Sequence, residues 1–449
     1  MSEANETIVA LATPSGSGAL AVVKISGNQA LNIAYSLTSR TFFTPRHATL
    51  SILKDRKGEM IDEAIIIYFQ APHSYTAEDV VEIQCHGGVL TARKIIEEVL
   101  SLGARVARAG EFTYRAFLNG RIDLSQAEAV AQLINAKSES ARKILVRQLK
   151  GALLEYLTNI RESLLQALAF AEVSIDYAEE DLPPDLLKQL DERLSSLAQK
   201  LQSTIQASSR RTLEGVRLSL IGRPNVGKSS LLNAILMWER SIVSAIPGTT
   251  RDTIEESFHL GDHLIKIIDT AGIRESRDEI ELLGISRTLK AARDSDVVLA
   301  LFDVSEPLQD EDMRIKEFLG ELKESCFVLV LFNKSDLPKV AHDEELLAYP
   351  HRYISAQKGE IEGLLEEIKA WLDSKNHGEE FLLTSTRQSE ALSGAAGALC
   401  EARGRLESGE LELFAYHIHE ALAKIASITR PYEDGELLDA MFSEFCLGK

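Results

Sequence analysis

Gly222-Arg223-Pro224-Asn225-Val226-Gly227-Lys228-Ser229 is the stretch on which the reading of this chain turns. It fits G-x-x-x-x-G-K-[ST], the pattern of a phosphate-binding loop, which needs a strand before it and a helix after it. Val216 to Ile221 is apolar and rich in β-branched residues, and Ser230, Leu231, Leu232, Asn233, Ala234, Ile235 and Leu236 read as the first turns of a helix. In that setting the glycines let the backbone curl so that N–H groups face phosphate oxygens. Lys228 reaches the outer phosphates and the Ser229 hydroxyl can ligate Mg2+. Asn225, Val226, Gly227 and Ser230 complete the expected contacts of this loop.

Later strings specify the nucleotide. Asp269, Thr270, Ala271 and Gly272 close the apolar run Leu264 to Ile268. This suits a strand that delivers a carboxylate to the water shell of Mg2+ and a glycine N–H to the terminal phosphate. Phe327 to Phe332 is a further apolar run and ends in Asn333, Lys334, Ser335, Asp336. The Asp336 carboxylate can accept from the N1 and exocyclic N2 donors of guanine, a pair that adenine lacks. Ser355 and Ala356, after Tyr353 and Ile354, offer a backbone N–H to guanine O6. Between the phosphate loop and Asp269 lies Ser244, Ala245, Ile246, Pro247, Gly248, Thr249, Thr250, Arg251, Asp252, where Thr250 is the candidate second Mg2+ ligand. A loop of this kind orders around γ-phosphate and Mg2+ and relaxes after hydrolysis. The expectation is a GTP hydrolase that is also a switch.

One departure from the Ras pattern is informative. Ile273 follows Gly272, where Ras-like proteins carry the glutamine that orients the attacking water. The acid-rich segment Arg274 to Glu281 offers substitutes, and without an evident arginine finger the charge developing in transfer calls for another cation.

Three further regions carry a resemblance to the TrmE/MnmE family of tRNA-modifying GTPases, and it extends over essentially the whole chain. The first is Ile8-Val9-Ala10, Ala12-Thr13-Pro14, Gly16-Ser17-Gly18 and Lys24-Ile25-Ser26-Gly27. The second comprises Ser74 to Glu82, His86-Gly87-Gly88, Gly110-Glu111-Phe112-Thr113 and Arg115 to Asn119. The third is the terminal Phe445-Cys446-Leu447-Gly448-Lys449, close to the family's Phe-Cys-Ile-Gly-Lys.

The resemblance implies that Asn225 coordinates K+ together with Ser244, Ile246 and Thr249. An amide oxygen, backbone carbonyls and a hydroxyl form an oxygen cage that puts a positive charge where an arginine finger would act. It implies that Glu281 orients the hydrolytic water, with Arg274 a second candidate, and that Cys446 has a reactive role. It implies a formyl-tetrahydrofolate (5-formyl-tetrahydrofolate or a related folate) bound by Lys24, Glu82 and Arg121, with Lys449 arriving from the far terminus. A carboxylate suits a pterin edge and cations suit a glutamate tail. Lys24 stands where many members carry Arg, keeping the charge but losing the bidentate fork. Ser17 likewise replaces a common Arg, and Ile428 to Asp434 departs from the usual Thr-Gly-Glu pattern. As partners the resemblance implies tRNA, a homodimer formed through the N-terminal domain, and the flavoprotein MnmG (GidA) in a heterotetramer.

The remaining features bound the architecture. The chain has 449 residues, enough for two to four domains. Residues 1–118 mix strand-like alternation (Glu63 to Phe69, Val80 to Gln84) with one helical stretch, Ala92 to Leu102, an α+β pattern. Helix follows over residues 119–214, with Ser125 and Glu128 reading as a capping box. Leu149, Leu153, Tyr156, Ile160, Leu164, Ala167 and Ala171 form a core stripe at a 3.6-residue period. Pro183 and Pro184 interrupt it before a second helical pattern, Leu186 to Ser208. A P-loop GTPase domain occupies residues 215–375, and helix returns over residues 376–449. The fold expected is therefore multidomain α/β and α: an N-terminal α+β folate-binding-like domain, then a helical domain interrupted by an inserted Ras-like GTPase.

There is no basic, apolar leader, and runs such as Val297 to Phe302 fall far short of the roughly 18 residues a membrane span requires. Cys85, Cys326, Cys400 and Cys446 show no metal or disulfide spacing, so a soluble, cytoplasmic protein without membrane association is expected. A formal charge of −19 opposes a broad electrostatic grip on RNA, so tRNA contact must be local or shared with a partner. Two functions remain open: a GTPase subunit modifying C5 of the wobble uridine with a carboxymethylaminomethyl-type group, and a GTP-dependent ribosome-assembly or signalling switch. The second would be expected to append a KH-like module, and the only G-x-x-G beyond the GTPase, Gly394 to Gly397, is apolar and set in a helical pattern.

Overall fold

The computed structural model describes residues 6–14, 16–176, 184–208, 215–242, 256–268, 292–322, 326–340, 343–375, 383–430, 438, 441–443 and 445. The chain forms two compact units, one of Met1–Asn135, Leu145–Ala207 and Leu383–Lys449, the other of Ala136–Ile144 and Ser208–Leu382.

In the first unit, β1 (Ile8–Leu11), β2 (Leu20–Ser26), β3 (Thr49–Lys54), β4 (Met60–Phe69), β5 (Val80–His86) and β6 (Arg105–Val106) form a sheet in the order β3-β4-β5-β2-β1-β6. Period-2 alternation sends Ala21, Val23 and Ile25 of β2 and Val81, Ile83 and Cys85 of β5 into the core. Ile33, Ala34 and Leu37 of α1 (Ala30–Thr38) and Ile95 and Val99 of α2 (Val89–Ser101) join that core. The same alternation turns Lys24 and Glu82 to the opposite face, where they are register partners. The expectation of one helix here falls short. Besides α1 and α2, α3 runs over Glu111–Leu118. The nine residues of α1 and eight of α3 are too short for a 3.6-residue period to stand out in a single sequence.

The helical part of this unit comprises α4 (Leu124–Ile134), α5 (Glu139–Leu149, shared with the second unit), α6 (Ala152–Asp176) and α7 (Pro184–Ala207). The capping box lies two residues before the one expected. Asp123 caps α4, accepting from the Gln126 N–H at 3.0 Å, while the Gln126 side chain accepts from the Asp123 N–H at 2.9 Å. Ser125 is buried inside the helix and Glu128 serves another purpose, described below. The stripe Leu153, Ile160, Leu164, Ala167, Ala171 is buried as its spacing predicts. Phe414, Ile418, Ala421, Ile425 and Ile428 of the last long helix are buried at alternating spacings of four and three.

In the second unit, β7 (Val216–Ile221), β8 (Glu256–Leu260), β9 (His263–Ile268), β10 (Val297–Asp303), β11 (Phe327–Asn333) and β12 (His351–Tyr353) form a sheet in the order β12-β11-β10-β7-β9-β8. The pairs are parallel except β8 with β9. Every residue of β10 is buried, as expected of a central parallel strand covered on both faces. Leu299 and Leu301 enter one core cluster with Trp371, while Val298, Ala300 and Phe302 enter another with Phe318 and Leu319. Among the described residues, the unit's own helices are α8 (Lys228–Ile242), α9 (Asp310–Leu322), α10 (Glu344–Leu347) and α11 (Glu362–Lys375). Trp371 stacks on Phe327 with ring centroids 4.9 Å apart, and Trp238 of α8 packs against the same core. Helices α12 (Thr386–Glu407) and α13 (Leu411–Thr429) belong to the first unit.

Candidate functional site

From β7 the chain passes to β9 on one side and then to β10 on the other, so the sheet order reverses beside β7. Ligands of open α/β sheets bind at the carboxyl ends of strands at such a switch point. The phosphate loop follows β7 there, and Asp303 and Asn333 end β10 and β11 as register partners.

Two glycines of the loop are sterically required. A Cβ at Gly222 would lie 2.8 Å from the Leu301 carbonyl oxygen. At Gly227, with φ +104°, it would lie 2.1 Å from Asn333 Nδ2. Asn225 forms the exposed crest in the left-handed region, at φ +60°. Helix α8 starts at Lys228, so the positive end of its dipole faces the loop. The Lys228 ammonium donates to the carbonyls of Gly222 at 2.6 Å and Arg223 at 2.8 Å, which sets it across the loop; Ser229 and Ser230 lie exposed in the first turn.

Asn333 ties this loop to the base-reading strings. Its buried amide donates to the Val226 carbonyl at 2.8 Å, and its Oδ1 accepts from the Ala356 N–H at 3.0 Å. Asp336 is exposed, and one of its carboxylate oxygens accepts from the Ser355 hydroxyl at 2.9 Å. That hydrogen bond holds the Asp336 carboxyl below the usual carboxylate range, so it is anionic at neutral pH, as an acceptor of two guanine donors must be. Lys334, at φ +62°, turns its ammonium to within 2.5 Å of Asp303 Oδ2. Beneath the loop Arg223 meets Glu306 at 2.6 Å, Asp312 at 3.2 Å and Asp303 at 3.7 Å. Burial pushes the Asp312 carboxyl up against the pull of Arg223. Burial also works against Asp303, but hydrogen bonds from Lys334 and Ser305 win and hold it low.

Asn225, Val226, Gly227, Lys228, Ser229, Ser230, Asn333, Lys334, Asp336, Ser355 and Ala356 thus meet at one sheet edge. The other residues expected to bind nucleotide and cation, Ser244, Ala245, Ile246, Pro247, Gly248, Thr249, Thr250, Asp269, Thr270, Ala271 and Gly272, lie outside the described residues. So do Arg274, Glu281, Cys446 and Lys449. Sequence reasoning passed over Asp303 and Arg223. A carboxylate ending a wholly apolar strand was the available signal, because an unpaired charge is seldom buried.

Lys24, Glu82 and Arg121, the residues expected to bind folate, lie in the first unit. Lys24 Nζ lies 3.6 Å from Glu82 Oε1 and 5.8 Å from the centre of the Tyr75 ring. Lys24 and Tyr75, with Val130, Leu133, Ile134 and Leu149, line a cavity of about 320 Å³, near the lower end of the size range of ligand pockets. Burial pushes the Tyr75 hydroxyl up, while its hydrogen bond to Thr113 (2.9 Å) and the charge of Arg121 oppose that shift. Arg121 is thus within electrostatic reach of the cavity, although its side chain is exposed.

The strings around the cavity form a buried ionic network. Glu78 accepts from Ser26 at 2.7 Å and pairs with Arg115 at 3.1 Å. Arg115 also reaches Glu111 at 3.0 Å, and Arg105 clamps Glu111 at 2.6 and 2.7 Å. Burial opposes the Glu111 charge, yet the two guanidinium groups and the Arg108 N–H hold its carboxyl down to about 2. Gly110, at φ +68°, has room only for hydrogen: a Cβ would lie 2.4 Å from the Phe442 carbonyl oxygen and 2.9 Å from Phe445 Cβ. Phe442 and Phe445, near the far terminus, thus pack against the Gly-Glu-Phe-Thr string. Gly394 to Gly397 lies inside α12, with Ala395 fully buried, unlike the exposed loop of a KH module.

A phosphate loop joined through an asparagine to the carboxylate expected to read guanine, on a mostly parallel sheet, defines a P-loop GTPase with helical and α+β additions. A family model described as the MnmE helical domain matches residues 124–446, and one described as the GTP-binding protein TrmE N-terminus matches residues 7–121. The tRNA modification GTPase MnmE of Wolinella succinogenes is 63% identical over 446 residues, covering 99% of this chain and 98% of that protein. The protein of that name from Sulfurimonas denitrificans is 51% identical over 446 residues, covering 99% of each, and one from Helicobacter pylori strain HPAG1 is 46% identical over 455 residues, covering 99% and 97%. The chain belongs to the MnmE (TrmE) family of tRNA modification GTPases. No helix among the described residues is long and apolar enough to cross a membrane.

Proposed function

We propose that this chain is the K+-dependent GTPase subunit of a cytoplasmic tRNA-modifying complex. GTP hydrolysis in the inserted unit is coupled to addition of a carboxymethylaminomethyl-type group at C5 of the wobble uridine, with a formyl-tetrahydrofolate as one-carbon donor. The observation that carries the reading is the Asn333 bracket, which joins the Val226 carbonyl of the phosphate loop to Ala356 beside the Ser355–Asp336 pair. A site built that way reads a phosphate chain and a guanine together, in a chain whose relatives are named tRNA modification GTPases.

Residues 1–118 are the folate-binding and dimerisation domain, 119–214 and 376–449 the two parts of the helical domain, and 215–375 the GTPase. Lys228 and the α8 N-terminus neutralise phosphate charge, and Asp336 selects guanine. The tight cradle at Gly222 and Gly227 fits a phosphate chain, and the exposed Ser229 hydroxyl with Thr250 would hold Mg2+. Asn225, exposed at the crest, with Ser244, Ile246 and Thr249 would hold K+. When bound, these ions would supply positive charge to the phosphates. Glu281, or secondarily Arg274, orients the water, and Cys446 takes part in the tRNA chemistry. The cavity at Lys24 and Tyr75 pairs an apolar wall with an ammonium, which fits an aromatic heterocycle bearing an anionic tail. Glu82, Arg121 and Lys449 complete that site. Because the chain carries a formal charge of −19, which a second copy only repeats, tRNA is held with help from positive surface on a partner, for which MnmG is the candidate.

Two measurements test this reading. GTP hydrolysis by the full chain rises sharply when K+ replaces Na+, and equal rates in both salts remove the cation site. Mass spectrometry of tRNA nucleosides from cells lacking the chain shows unmodified wobble uridine, and unaltered nucleosides overturn the tRNA assignment.

A further inference from the structure

The geometry points to Asp303 as a positioning residue that locks the phosphate loop and the guanine-reading loop into one register through Arg223 and Lys334. This rests on the nucleotide reading of the site given above. Asp303 ends β10 with its side chain only 1% exposed, a costly place for a carboxylate unless cations hold it. Its Oδ1 accepts from the Ser305 N–H at 2.9 Å and from the Ser305 hydroxyl at 2.6 Å, which fixes the carboxylate plane. Its Oδ2 faces two cations, Lys334 Nζ at 2.5 Å and Arg223 Nη2 at 3.7 Å.

Each cation belongs to a different half of the site. Lys334 stands between Asn333 and Asp336, in a left-handed conformation that its ion pair to Asp303 helps to hold. Arg223 is in the phosphate loop, and its carbonyl accepts from the Lys228 ammonium at 2.8 Å. One buried carboxylate therefore connects the lysine that meets phosphate to the loop that carries the guanine-reading aspartate. Asn333 makes a second, separate connection through Val226. Two links at different points resist both sliding and rotation of one loop against the other, whereas a single link would leave a hinge.

The test is calorimetric titration of the full chain with GDP and with inosine diphosphate, which lacks the exocyclic N2 amine that Asp336 reads. A change that only destabilises the protein lowers the active fraction but leaves the affinity ratio of the two ligands unaltered. Asp303→Asn is expected to lower the GDP-to-inosine-diphosphate ratio by about tenfold, the equivalent of one hydrogen bond to a charged group lost from the base site. Glu306→Gln removes the exposed partner of Arg223 and leaves Asp303 in place, so the ratio should stay within about twofold of wild type. Lys334→Gln approaches the same link from a side chain that is one-third exposed and serves if Asp303→Asn does not fold. In that case Lys334→Gln should itself lower the ratio by about tenfold, and an unchanged ratio in the folded variant overturns the assignment. An unchanged ratio in folded Asp303→Asn, or equal losses in Asp303→Asn and Glu306→Gln, overturns the assignment. If wild-type protein binds neither ligand, the nucleotide reading itself falls, which is a separate outcome.

Discussion

Gly227→Ala tests most directly how the phosphate loop is built. The substitution adds one methyl group at φ +104°, where an L side chain costs about 1–2 kcal/mol. That methyl would lie 2.1 Å from Asn333 Nδ2, so the Asn333 amide must move. Its bonds to the Val226 carbonyl at 2.8 Å and the Ala356 N–H at 3.0 Å then break, each at roughly 1 kcal/mol or more because the groups are buried. The sum is about 3–4 kcal/mol, and since every affected group shapes the nucleotide site, GDP affinity should fall by about a hundredfold or more. Calorimetric titration of the full-length variant measures it, with circular dichroism to establish that the chain is folded. Asn333→Ala provides the cross-check. It removes the group that the new methyl strikes, so the losses from Gly227→Ala and Asn333→Ala should be clearly less than additive in the double variant. A folded Gly227→Ala protein that binds GDP within about threefold of wild type, or strict additivity in the cycle, refutes the reasoning.

Three more outcomes are expected. With the Glu111 carboxyl lowered from 4.5 to about 2 in the folded state, its contribution of about 3 kcal/mol is complete above pH 5 and drains away as the pH falls toward 2. Urea titrations read by pulsed hydrogen exchange in residues 111–118 should therefore find Glu111→Gln about 3 kcal/mol less stable at pH 7 and only half as far below wild type at pH 3; a constant gap would contradict this. Ser355→Ala removes the donor that keeps the Asp336 carboxyl low, so the acid limb of GDP affinity should shift to higher pH, and an unmoved limb would disconnect Ser355 from base reading. Arg387→Ala leaves Glu128, 8% exposed, without its cation at 2.9 Å, and strips the donors from the carbonyls of Ser427 and Ile428. A loss of about 3–5 kcal/mol is expected in chemical unfolding of the helical part, and a loss below about 1 kcal/mol would show that water replaces the pair.

The GTPase core was legible because its strands are continuous apolar runs ending in polar residues. Val216 to Ile221 and Phe327 to Phe332 match β7 and β11 to within a residue. The Asn333 bracket was not legible, because pairing Asn333 with Val226 requires knowing that β11 and the phosphate loop share a sheet edge. The Asp303 link was hidden for the same reason, since Arg223 and Asp303 lie eighty residues apart in sequence. At α4, Ser125-x-x-Glu128 and Asp123-x-x-Gln126 both fit the capping pattern, and tertiary context chose between them. Glu128 is drawn to Arg387 and to the Gln388 amide, partners about 260 residues away, so the carboxylate that sequence assigned to a local cap joins α4 to α12 instead. Lys24 and Glu82 were picked out by their surrounding strings, and antiparallel register makes them neighbours. Tyr75 lay within one of those strings, yet nothing local marked its ring as a wall of the cavity.

Both tryptophans of the chain, Trp238 and Trp371, belong to the nucleotide-binding unit, Trp371 stacked on Phe327 and Trp238 seated against the same core. Near-ultraviolet indole emission from the intact protein therefore originates wholly in that unit, while the α+β and helical portions contribute only tyrosine and phenylalanine. The molecule carries an intrinsic optical label on its GTPase, so melting or ligation of that part can be followed without attaching a dye and without interference from the remainder.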